Sequence, residues 1–354
     1  MRRTLGSLAL IPLLTLTLSG PLAGQSSAGS GAARTPYRWH QTRVGSDQEL
    51  RGLDAISGRT AWVSGDAGGV WLTTDRGHHW KDVAPPHSSH LLFRDVEATD
   101  ARHALILAVG TNRASRIYRT TDGGRTWATT FVNHSTQAFY DCMAMWPGGR
   151  NGLAVSDPVH GKFRVIRTRD GGRTWRVMSR AGMPRARAGE FGFAASGTCL
   201  VTAGSRDAWI ASGGSASRVF HTTNRGHTWH VADSRIPASA AGGTFGLSFS
   251  SRHRGLAVGG DFTQPSNGTD ASAYTTNGGR SWLVGGDLGG YRSAVDWIGS
   301  SHVAIAVGTS GSDVTTDSGL GWKRFGQGFD SVQCIRGGVC WSSGSHGRVG
   351  RLHR

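Results

Sequence analysis

The sequence predicts an all-β fold, a seven-bladed β-propeller, on the basis of an internal repeat and of the segments between its copies. One short pattern, Thr-x-Asp/Asn-x-Gly-x-Thr/Ser-Trp, recurs six times among the 354 residues at intervals of 40 to 54 residues. Self-similarity at such a period is typical of solenoids, arrays and propellers. Glycine is also abundant, with 54 residues against 10 prolines, which favours many tight turns over disorder.

Each repeat contains four segments with the character of antiparallel strands. In the first complete unit they are LRGLDAI, TAWVSGD, GVWLTTD and WKDVAPP, which span residues 50–56, 60–66, 69–75 and 80–86. Each is short, apolar or alternating, and bounded by Gly, Asp or Pro, as strands commonly are. Four antiparallel strands in each unit indicate the blade of a propeller.

The repeated pattern lies at the turn between the third and fourth strands of a blade, and we call it the box turn. Asp122 is expected to accept hydrogen bonds from backbone amides of its own turn, Gly124 to supply a positive φ, and Trp127 to bury its ring. Asn replaces the acid in two copies, and the last copy has Gly321 where a hydroxyl is expected. The structural residues predicted from the pattern are Asp75, Asp122, Asp170, Asn224, Asn277, Asp317, Trp80, Trp127, Trp175, Trp229, Trp282 and Trp322.

The number of blades depends on both ends of the chain. Six box turns suggest six blades, but the C-terminal region adds three more strands, at residues 330–335, 338–344 and 347–353. Residues 37–44, YRWHQTRV, are predicted to supply the missing fourth strand of that last blade. Because this closure removes exposed sheet edges, seven blades are expected, with six as the alternative.

Residues 1–24 are predicted to be a secretory signal peptide, residues 25–36 a disordered linker, and residues 37–354 a single propeller domain. Arg2 and Arg3 precede an apolar run too short to span a bilayer, and small residues follow that run. Gln25 stands where a lipoprotein would need Cys, so no lipid anchor is expected. The mature chain is therefore expected to be secreted or extracytoplasmic.

The four cysteines fit an oxidising compartment. Cys334 and Cys340 flank a short Gly-Gly turn and are predicted to form a disulfide across a hairpin. Cys142 and Cys199 lie in neighbouring repeats, where either a disulfide or two buried thiols is compatible with the sequence. No CxxC pair or zinc spacing is present, so neither a metal site nor a cofactor is expected.

The charge balance is strongly basic, with 39 Lys and Arg residues against 23 Asp and Glu residues and a formal net charge of +16. Such a field attracts anionic partners of any kind. The arginines are spread through every repeat, however, and a secreted chain seldom meets nucleic acid. A basic surface without a nucleic-acid partner is expected.

The six copies resemble the Asp-box, also called the bacterial neuraminidase repeat. Together with third strands such as SGDAGGVWLTTD, they resemble the photosystem II assembly and stability factor family of seven-bladed propellers. This resemblance implies a non-enzymatic binding or assembly protein, in which a patch of arginines holds a membrane-protein precursor. A monomer with a protein partner, or with a glycan or other anionic partner, is expected.

The box turns are expected to lie at the outer rim of one face, so a binding site is expected on the opposite face, at the mouth of the central channel. Side chains from the starts of the innermost strands and from the second-to-third strand loops would meet there. The predicted ligand-binding residues are Arg51, Arg94, Arg113, Arg292, Asp157 and Asp261. In the alternative reading these groups pair with one another and only line a wet channel.

Two enzymatic functions remain as alternatives. Sialidases carry the same box, and a glycosidase would use Glu190, Tyr291 and Asp141, although the chain has only three Glu residues. A cofactor-dependent oxidoreductase is the second alternative, but no Rossmann glycine fingerprint follows a strand and opens a helix. The box motif is specific for a propeller turn and only weakly specific for function, because sialidases, xyloglucan hydrolases and non-enzymatic receptors all carry it.

Overall fold

The computed structural model describes residues 36–299, 301–335 and 337–353. The predicted signal peptide at residues 1–24, and the predicted linker except for its last residue, lie outside the described residues. No described helix has the length and apolar character that a membrane span requires.

The strands of the first three blades follow one another along the chain. The first strand, β1 (Arg38–Arg43), precedes blade 1. Blade 1 contains β2 (Leu50–Ala55), β3 (Ala61–Gly65), β4 (Val70–Thr73) and β5 (Lys81–Asp82). Blade 2 contains β6 (Leu92–Ala98), β7 (Ala104–Val109), β8 (Arg116–Thr120) and β9 (Ala128–Val132), with a 3-10 helix at Asn112–Ala114. Blade 3 contains β10 (Tyr140–Met145), β11 (Gly152–Val159), β12 (Lys162–Thr168) and β13 (Arg176–Val177).

The next strands are less regular because two short strands interrupt the four-strand plan. They are β14 (Glu190–Phe191), β15 (Leu200–Ala203), β16 (Asp207–Ala211), β17 (Gly213–Gly214), β18 (Arg218–Thr222) and β19 (His230–Asp233). Blade 4 consists of β15, β16, β18 and β19, whereas β14 and β17 join the inner edge of blade 5. Blade 5 also contains β20 (Gly242–Phe249), β21 (Gly255–Asp261), β22 (Ser272–Thr275) and β23 (Leu283–Val284).

The last two blades complete the propeller. Blade 6 contains β24 (Ala294–Trp297), β25 (Ala304–Gly308), β26 (Gly311–Thr315) and β27 (Lys323–Gly326). Blade 7 contains β28 (Ser331–Cys334), β29 (Cys340–Gly344) and β30 (Arg348–His353). Strand β1 pairs antiparallel with β30, with Arg38 opposite His353 and Arg43 opposite Arg348. The N-terminal strand therefore closes blade 7 as the sequence predicts, and the propeller has seven blades rather than six.

The first strand of each blade lines the centre of the ring. Strands β2, β6, β10, β15, β20, β24 and β28 each contact the first strand of the next blade, and β28 contacts β2. The second strand of each blade lies next to the first, and the blades on either side pack against it. Every residue of β3, β7 and β25 is buried. Apolar runs in these strands thus form the core where one blade packs on the next.

The six box turns share one hydrogen-bond pattern. In blade 2, Thr120 Oγ1 donates to Asp122 Oδ1 at 2.9 Å, and the Gly124 amide donates to Thr120 Oγ1 at 3.0 Å. The Thr126 amide closes the turn by donating to Asp122 Oδ1 at 2.9 Å. The same three bonds occur in the other five turns. Each box turn also donates one backbone N–H to the turn between the first and second strands of its own blade, as Gly123 does to the Arg102 carbonyl at 2.9 Å. These hydrogen bonds all lie within one blade, so the turn can repeat from blade to blade.

The tryptophans that end the first two box turns connect neighbouring blades. Trp127 Nε1 donates to the Val83 carbonyl of blade 1 at 2.7 Å, and its ring meets Trp62 edge to face. Trp80 meets Trp341 of blade 7 in the same way, with ring centroids 6.1 Å apart. Both rings are half-buried, and the edge-to-face contact joins each to the preceding blade.

Both cysteine pairs form disulfides. Cys334 and Cys340 are joined between β28 and β29, as their spacing predicts. Cys142 and Cys199 are also joined, across 57 residues of chain, and this bond links the innermost strand of blade 3 to the residue before β15 of blade 4. The sequence is compatible with either a disulfide or two buried thiols at this second pair, and the structure shows a disulfide.

Candidate functional site

The channel mouth is built around a segment that has no counterpart in the other blades. Residues 190–198, EFGFAASGT, precede the innermost strand of blade 4, and we call them the plug segment. Its first two residues form β14, which pairs with β17 at the inner edge of blade 5. From there the segment runs into the centre of the ring.

On the mouth side, side chains of blades 1 to 3 hold the backbone of the plug segment. Arg94 Nη1 donates to the Ala194 carbonyl at 3.0 Å, and Arg51 Nη1 donates to the Ala195 carbonyl at 3.2 Å. The Gly192 amide donates to the Asp157 carboxylate at 2.8 Å. The plug segment is therefore held in position by Arg51, Arg94 and Asp157, three of the residues that the sequence predicts to bind a ligand.

Blades 4 and 5 hold the start of the plug segment. Glu190 is buried, pairs with Arg218 and accepts a hydrogen bond of 2.6 Å from Ser212 Oγ. Phe193 stacks on Phe245, with ring centroids 3.7 Å apart and an angle of 14° between the planes. The segment is thus fixed at this end by one ion pair and one aromatic stack.

Blades 6 and 7 hold its deeper part. Ser196 Oγ donates to the Ser293 carbonyl at 2.8 Å, and Ser331 Oγ donates to the Ser196 carbonyl at 3.2 Å. Gly197 has φ +79°, and a Cβ there would lie 2.6 Å from an Asp95 carboxylate oxygen. Glycine is required here both for its backbone angle and for its close approach to Asp95. With these bonds, the plug segment contacts residues of all seven blades.

Two cavities lie along the channel, one on each side of the plug segment. The deeper cavity, of about 280 Å³, is lined by Ser196, Gly197 and Thr198 among others. The other, of about 290 Å³, opens at the mouth, and we call it the mouth cavity. Its lining consists of Arg51, Arg94, Phe193, Ala194, Ala195, Phe245, Phe262, Tyr291 and Thr309.

The mouth cavity combines two arginines with four aromatic rings. Phe245 lies between Phe193 and Tyr291, whose ring it meets edge to face at 4.7 Å. Phe262 contacts both Phe193 and Phe245 edge to face, yet half of its surface remains exposed, at 50%. A concave, largely apolar pocket with a few placed polar groups is the usual form of a ligand site.

Irregularities in the innermost strands turn the key side chains toward the mouth. The pairing register shifts around Arg51 in β2, Arg94 in β6, Asp141 in β10 and Phe245 in β20, so that each of these residues has no partner on the second strand. Bulges of this kind re-aim a side chain and commonly occur beside functional sites. The four blades thus present equivalent positions to the channel, with arginine at two of them, a carboxyl group at the third and an aromatic ring at the fourth.

The two arginines differ in their electrostatic surroundings. Arg51 pairs with Glu49 at 2.7 Å and lies 3.7 Å from Asp330. Burial disfavours its charged form, but Asp330 and Glu49 outweigh that effect and raise the pKa of Arg51. Burial lowers the pKa of Arg94, and the charge of Arg51 adds to the effect. Among the described residues Arg94 has no ion-pair partner, and its Nε has no hydrogen-bond acceptor.

Buried carboxyl groups surround the arginines. Burial raises the pKa of Asp330 to about 6, although Arg51 acts in the opposite direction. Asp141 is buried beside Asp157, and both burial and the charge of Asp157 raise its pKa well above the usual range. One carboxylate oxygen of Asp141 and one of Asp330 accept no hydrogen bond among the described residues. Buried carboxyl groups therefore lie behind the two arginines of the mouth, where they are shielded from solvent.

Arg292, predicted as a ligand-binding residue, belongs to the interior of blade 6. Its side chain is completely buried and pairs with Asp313 at 2.5 Å. It also donates to the Tyr291 carbonyl at 2.7 Å and to Ser310 Oγ at 3.0 Å. The prediction is corrected on this ground, because no ligand at the mouth can reach a guanidinium enclosed in this way.

Two further predicted residues lie at the edge of the site. Arg113 is exposed in the 3-10 helix between β7 and β8 and does not line the mouth cavity. Asp261 accepts hydrogen bonds from Ser239 Oγ at 2.5 Å and from the Thr263 amide at 2.9 Å. Asp261 thus shapes the loop that carries Phe262 and has little capacity left for a ligand.

The residues that a glycosidase would use are not brought together. Glu190 is engaged with Arg218, Asp141 is enclosed behind Gly192, and Tyr291 lies beside Arg51 and Asp330. Burial raises the pKa of Tyr291, although the charge of Arg51 acts against this. Tyr291 and Glu190 therefore do not form the hydrogen-bonded pair that sialidase chemistry would need.

Sequence reasoning missed Phe193, Phe245, Phe262 and Asp330. A signal for Phe245 was present, because its position in TFGLS corresponds to that of Arg51 in LRGLD and Arg94 in FRDVE. Phe193 belongs to the plug segment, which matches no other part of the chain. The fold and the site together define a seven-bladed propeller with a plugged channel and a cationic, aromatic mouth.

Comparison with protein families gave no match, and comparison with curated protein sequences gave none either. The fold is similar to that of solved structures. YCF48 bound to a D1 peptide has a TM-score of 0.63 and 15% sequence identity, covering 91% of this chain and 96% of that chain. YCF48 from Cyanidioschyzon merolae has a TM-score of 0.61 and 16% identity, covering 89% and 98%.

A glycoside hydrolase has a more distant likeness. The GH74 enzyme of Niastella koreensis has a TM-score of 0.55 and 14% identity, covering 83% of this chain and 50% of that chain. At these identities the similarity establishes the propeller fold. It leaves the function to be argued from the residues of the mouth.

Proposed function

We propose that this protein is a non-enzymatic binding propeller that holds a segment of a protein partner in the mouth cavity, as an assembly factor does. The observation that carries the proposal is Arg94, a partly buried guanidinium at the edge of an aromatic pocket. It forms no direct ion pair with any described residue, although Glu49, Asp66 and Asp330 lie near enough to act on it. The likeness to a YCF48 structure that contains a bound D1 peptide supports the same function.

The chemistry of the cavity specifies what the partner segment should carry. An anionic group, either a side-chain carboxylate or a chain terminus, would form a charge-assisted hydrogen bond with Arg94, worth about 1.5 to 3 kcal/mol. An adjacent apolar side chain would cover the exposed half of Phe262 and contact Phe193. Aromatic and arginine side chains are the residues that dominate binding energy at interfaces.

The same geometry favours binding over hydrolysis of glycosides. A retaining glycosidase needs two carboxyl groups about 5 Å apart that reach the substrate. Asp141 and Asp157 are neighbours, but Asp141 is buried and Asp157 holds the Gly192 amide. Asp157 and Glu190 hold the plug segment, and Glu49 and Asp330 flank Arg51. The cavity itself is lined by arginines and aromatic rings together with Ala194, Ala195 and Thr309.

We place this binding function outside the cytoplasm. The two disulfides fit an oxidising compartment, and the signal peptide predicted at residues 1–24 would deliver the chain there. A monomeric propeller would leave the mouth free for a partner, and light scattering on the purified protein measures that state.

The experiment that tests the proposal is affinity capture from the envelope of the producing cell with matched pairs of variants. Arg94→Gln and Phe262→Asp alter the mouth cavity. Arg125→Gln and Leu320→Asp make the same changes at exposed positions on the box-turn face, where Leu320 is 61% exposed. Thermal unfolding of each variant checks that the propeller remains folded.

The expected result is a protein retained by the wild type and by both control variants and lost by both mouth variants. Loss of a charge-assisted contact of this size lowers affinity by about tenfold or more. Equal retention by all five proteins, or equal loss in the controls, would show that the mouth cavity is not the binding site.

A further inference from the structure

A strongly basic groove lies on the box-turn face, between blades 3 and 4. Five arginines and one histidine line an open cavity of about 640 Å³. Arg167 and Arg169 come from β12 and its box turn, and Arg225 and His227 from the box turn of blade 4. Arg150 and Arg206 come from the turns that follow the innermost strands of the same two blades. We call these six residues the basic groove.

The local structure orients several of these guanidinium groups. Arg150 Nε donates to the Arg169 carbonyl at 3.2 Å, and Arg225 Nε donates to the Ser205 carbonyl at 2.8 Å. These bonds occupy Nε and leave the two terminal nitrogens of each guanidinium toward the cavity. Arg167 Nη1 lies 2.8 Å from His227 Nε2, which fixes a third guanidinium. Oriented guanidinium groups lose less entropy when they bind an anion.

The charge of the basic groove is not neutralised by the protein. Within the described part of the chain, none of its five arginines forms an ion pair, and no Asp or Glu lines the cavity. The box turn of blade 4 carries Asn224 where four other box turns carry Asp, so the groove also lacks that negative charge. Burial and the charges of Arg169 and Arg225 lower the pKa of Arg167, as expected where like charges crowd together.

Several enclosed arginines elsewhere in this protein have a carboxylate partner, unlike those of the basic groove. The buried arginines of blades 4 and 6 each pair with a carboxylate, Arg218 with Glu190 and Arg292 with Asp313. Box-turn arginines such as Arg125 and Arg280 are exposed and stand apart from this cavity. Repulsion among like charges destabilises a folded protein unless a ligand of opposite charge offsets it.

We propose that the basic groove binds a ligand rich in phosphate groups, namely a short linear chain of linked phosphates. Guanidinium groups bind phosphate oxygens in bidentate fashion, and five of them in one cavity match a ligand that carries several charges in a small volume. A terminal phosphate group carries up to two negative charges and three acceptor oxygens, whereas a carboxylate carries one charge and two oxygens, so phosphates fit the groove better than carboxylates do. This site lies on the face opposite the mouth cavity and does not depend on a protein partner there.

The test is a calorimetric titration of the purified protein with inorganic tripolyphosphate at about 0.1 M salt, where screening is moderate. The test variant is Arg167→Gln with Arg169→Gln. The control variant is Arg125→Gln with Arg280→Gln, which removes the same charge from the same face outside the groove. Thermal unfolding without ligand establishes that both variants are folded, and citrate serves as a carboxylate ligand of similar charge.

The expected result is saturable binding of tripolyphosphate by the wild type and by the control variant, with affinity reduced at least about tenfold in the test variant. Citrate is expected to bind more weakly than tripolyphosphate. Equal weakening in the test and control variants would mean that the overall positive field, rather than the groove, attracts anions. That result, or the absence of binding by the wild type, would overturn the proposal.

Discussion

The box turns and the plug segment lie at opposite faces of the propeller and are stabilised in opposite ways. A box turn is closed by hydrogen bonds within its own blade, and the three bonds between Thr120, Asp122, Gly124 and Thr126 recur in all six copies. The plug segment occurs once, and its backbone and side chains bond to residues of all seven blades.

This difference separates the residues that specify the fold from those that specify the site. Local bonds can be copied from blade to blade, so they give a regular ring with no distinguished position. A segment that contacts every blade breaks that symmetry and creates a mouth with one cationic and one aromatic side. Function is commonly carried by irregular segments on a rigid scaffold.

The largest expected effect concerns the disulfide that joins the end of the plug segment to blade 3. Cys142 and Cys199 close 57 residues of chain, whereas Cys334 and Cys340 are separated by 6. Replacing the first pair by Ala is expected to lower the free energy of unfolding by about 4 kcal/mol, and replacing the second by about 2 kcal/mol. Urea denaturation of the two double variants measures the difference, and an equal loss would contradict this ranking.

The next effect concerns the ion pair at the start of the plug segment. Glu190→Gln removes the charge that faces Arg218 in a buried setting and is expected to cost about 3 kcal/mol. The same change at Glu49, whose pair with Arg51 is partly exposed, is expected to cost less than about 1 kcal/mol. If thermal unfolding shows similar losses for both variants, the plug segment does not depend on Glu190.

The acidic side chains of the box turns and those of the innermost strands around the plug segment should respond to pH in opposite ways. Hydrogen bonds from the Thr126 hydroxyl and amide lower the pKa of Asp122 to about 2, whereas burial raises the pKa of Asp95 to about 7 and of Asp296 to about 6. A buried carboxyl with a raised pKa binds a proton more readily in the folded state. Its stabilising contribution is therefore present below the unfolded pKa and lost as the pH rises through the folded pKa.

Stability is accordingly expected to rise as the pH falls from 7.5 to 5.5, because these buried carboxyl groups take up protons more readily in the folded state. Burial lowers the pKa of His221, so its protonation opposes the trend toward the acid end of this window. Asp95→Asn should reduce the rise, because it removes one titrating channel group. Asp122→Asn should not, because Asp122 is ionised throughout this range. Calorimetry at several pH values measures both slopes, and an equal slope in Asp95→Asn and the wild type would contradict this assignment.

The smallest effect concerns a single box turn. Asp170→Ala removes the acceptor for the Thr174 amide and is expected to cost about 1 kcal/mol. Asp170→Asn is expected to change stability by less than about 0.5 kcal/mol, since Asn224 and Asn277 already support the same turn. A comparison of the two variants by thermal unfolding tests whether the acceptor oxygen, rather than the charge, is what the turn requires.

Much of the fold could be predicted from the sequence because its determinants are local and repeated. The pairing of residues 37–44 with the last blade followed from counting strands, and β1 confirms it. Arg51 and Arg94 were expected at the mouth because each occupies the same position in a repeated strand, and both line the mouth cavity. Repetition thus reports both where a strand lies and which way its residues face.

The remainder of the site could not be predicted because it depends on contacts between distant segments. EFGFAASGT has no second copy to compare with, and its conformation is set by partners such as Arg51, Ser293 and Ser331. Arg292 occupies the start of its blade much as Arg51 does, yet Asp313 encloses it. Nothing local to Arg292 signals that a carboxylate twenty-one residues later takes its charge.

The most direct test of the central claim is a photo-crosslinking experiment in the producing cell. A photoreactive phenylalanine replaces Phe262 at the rim of the mouth cavity or, in the control, Leu320 on the box-turn face. The account predicts a covalently linked partner from position 262 only, and loss of that product when Arg94→Gln is added. Equal crosslinking from both positions, or crosslinking from position 320 alone, would contradict a binding site at the channel mouth.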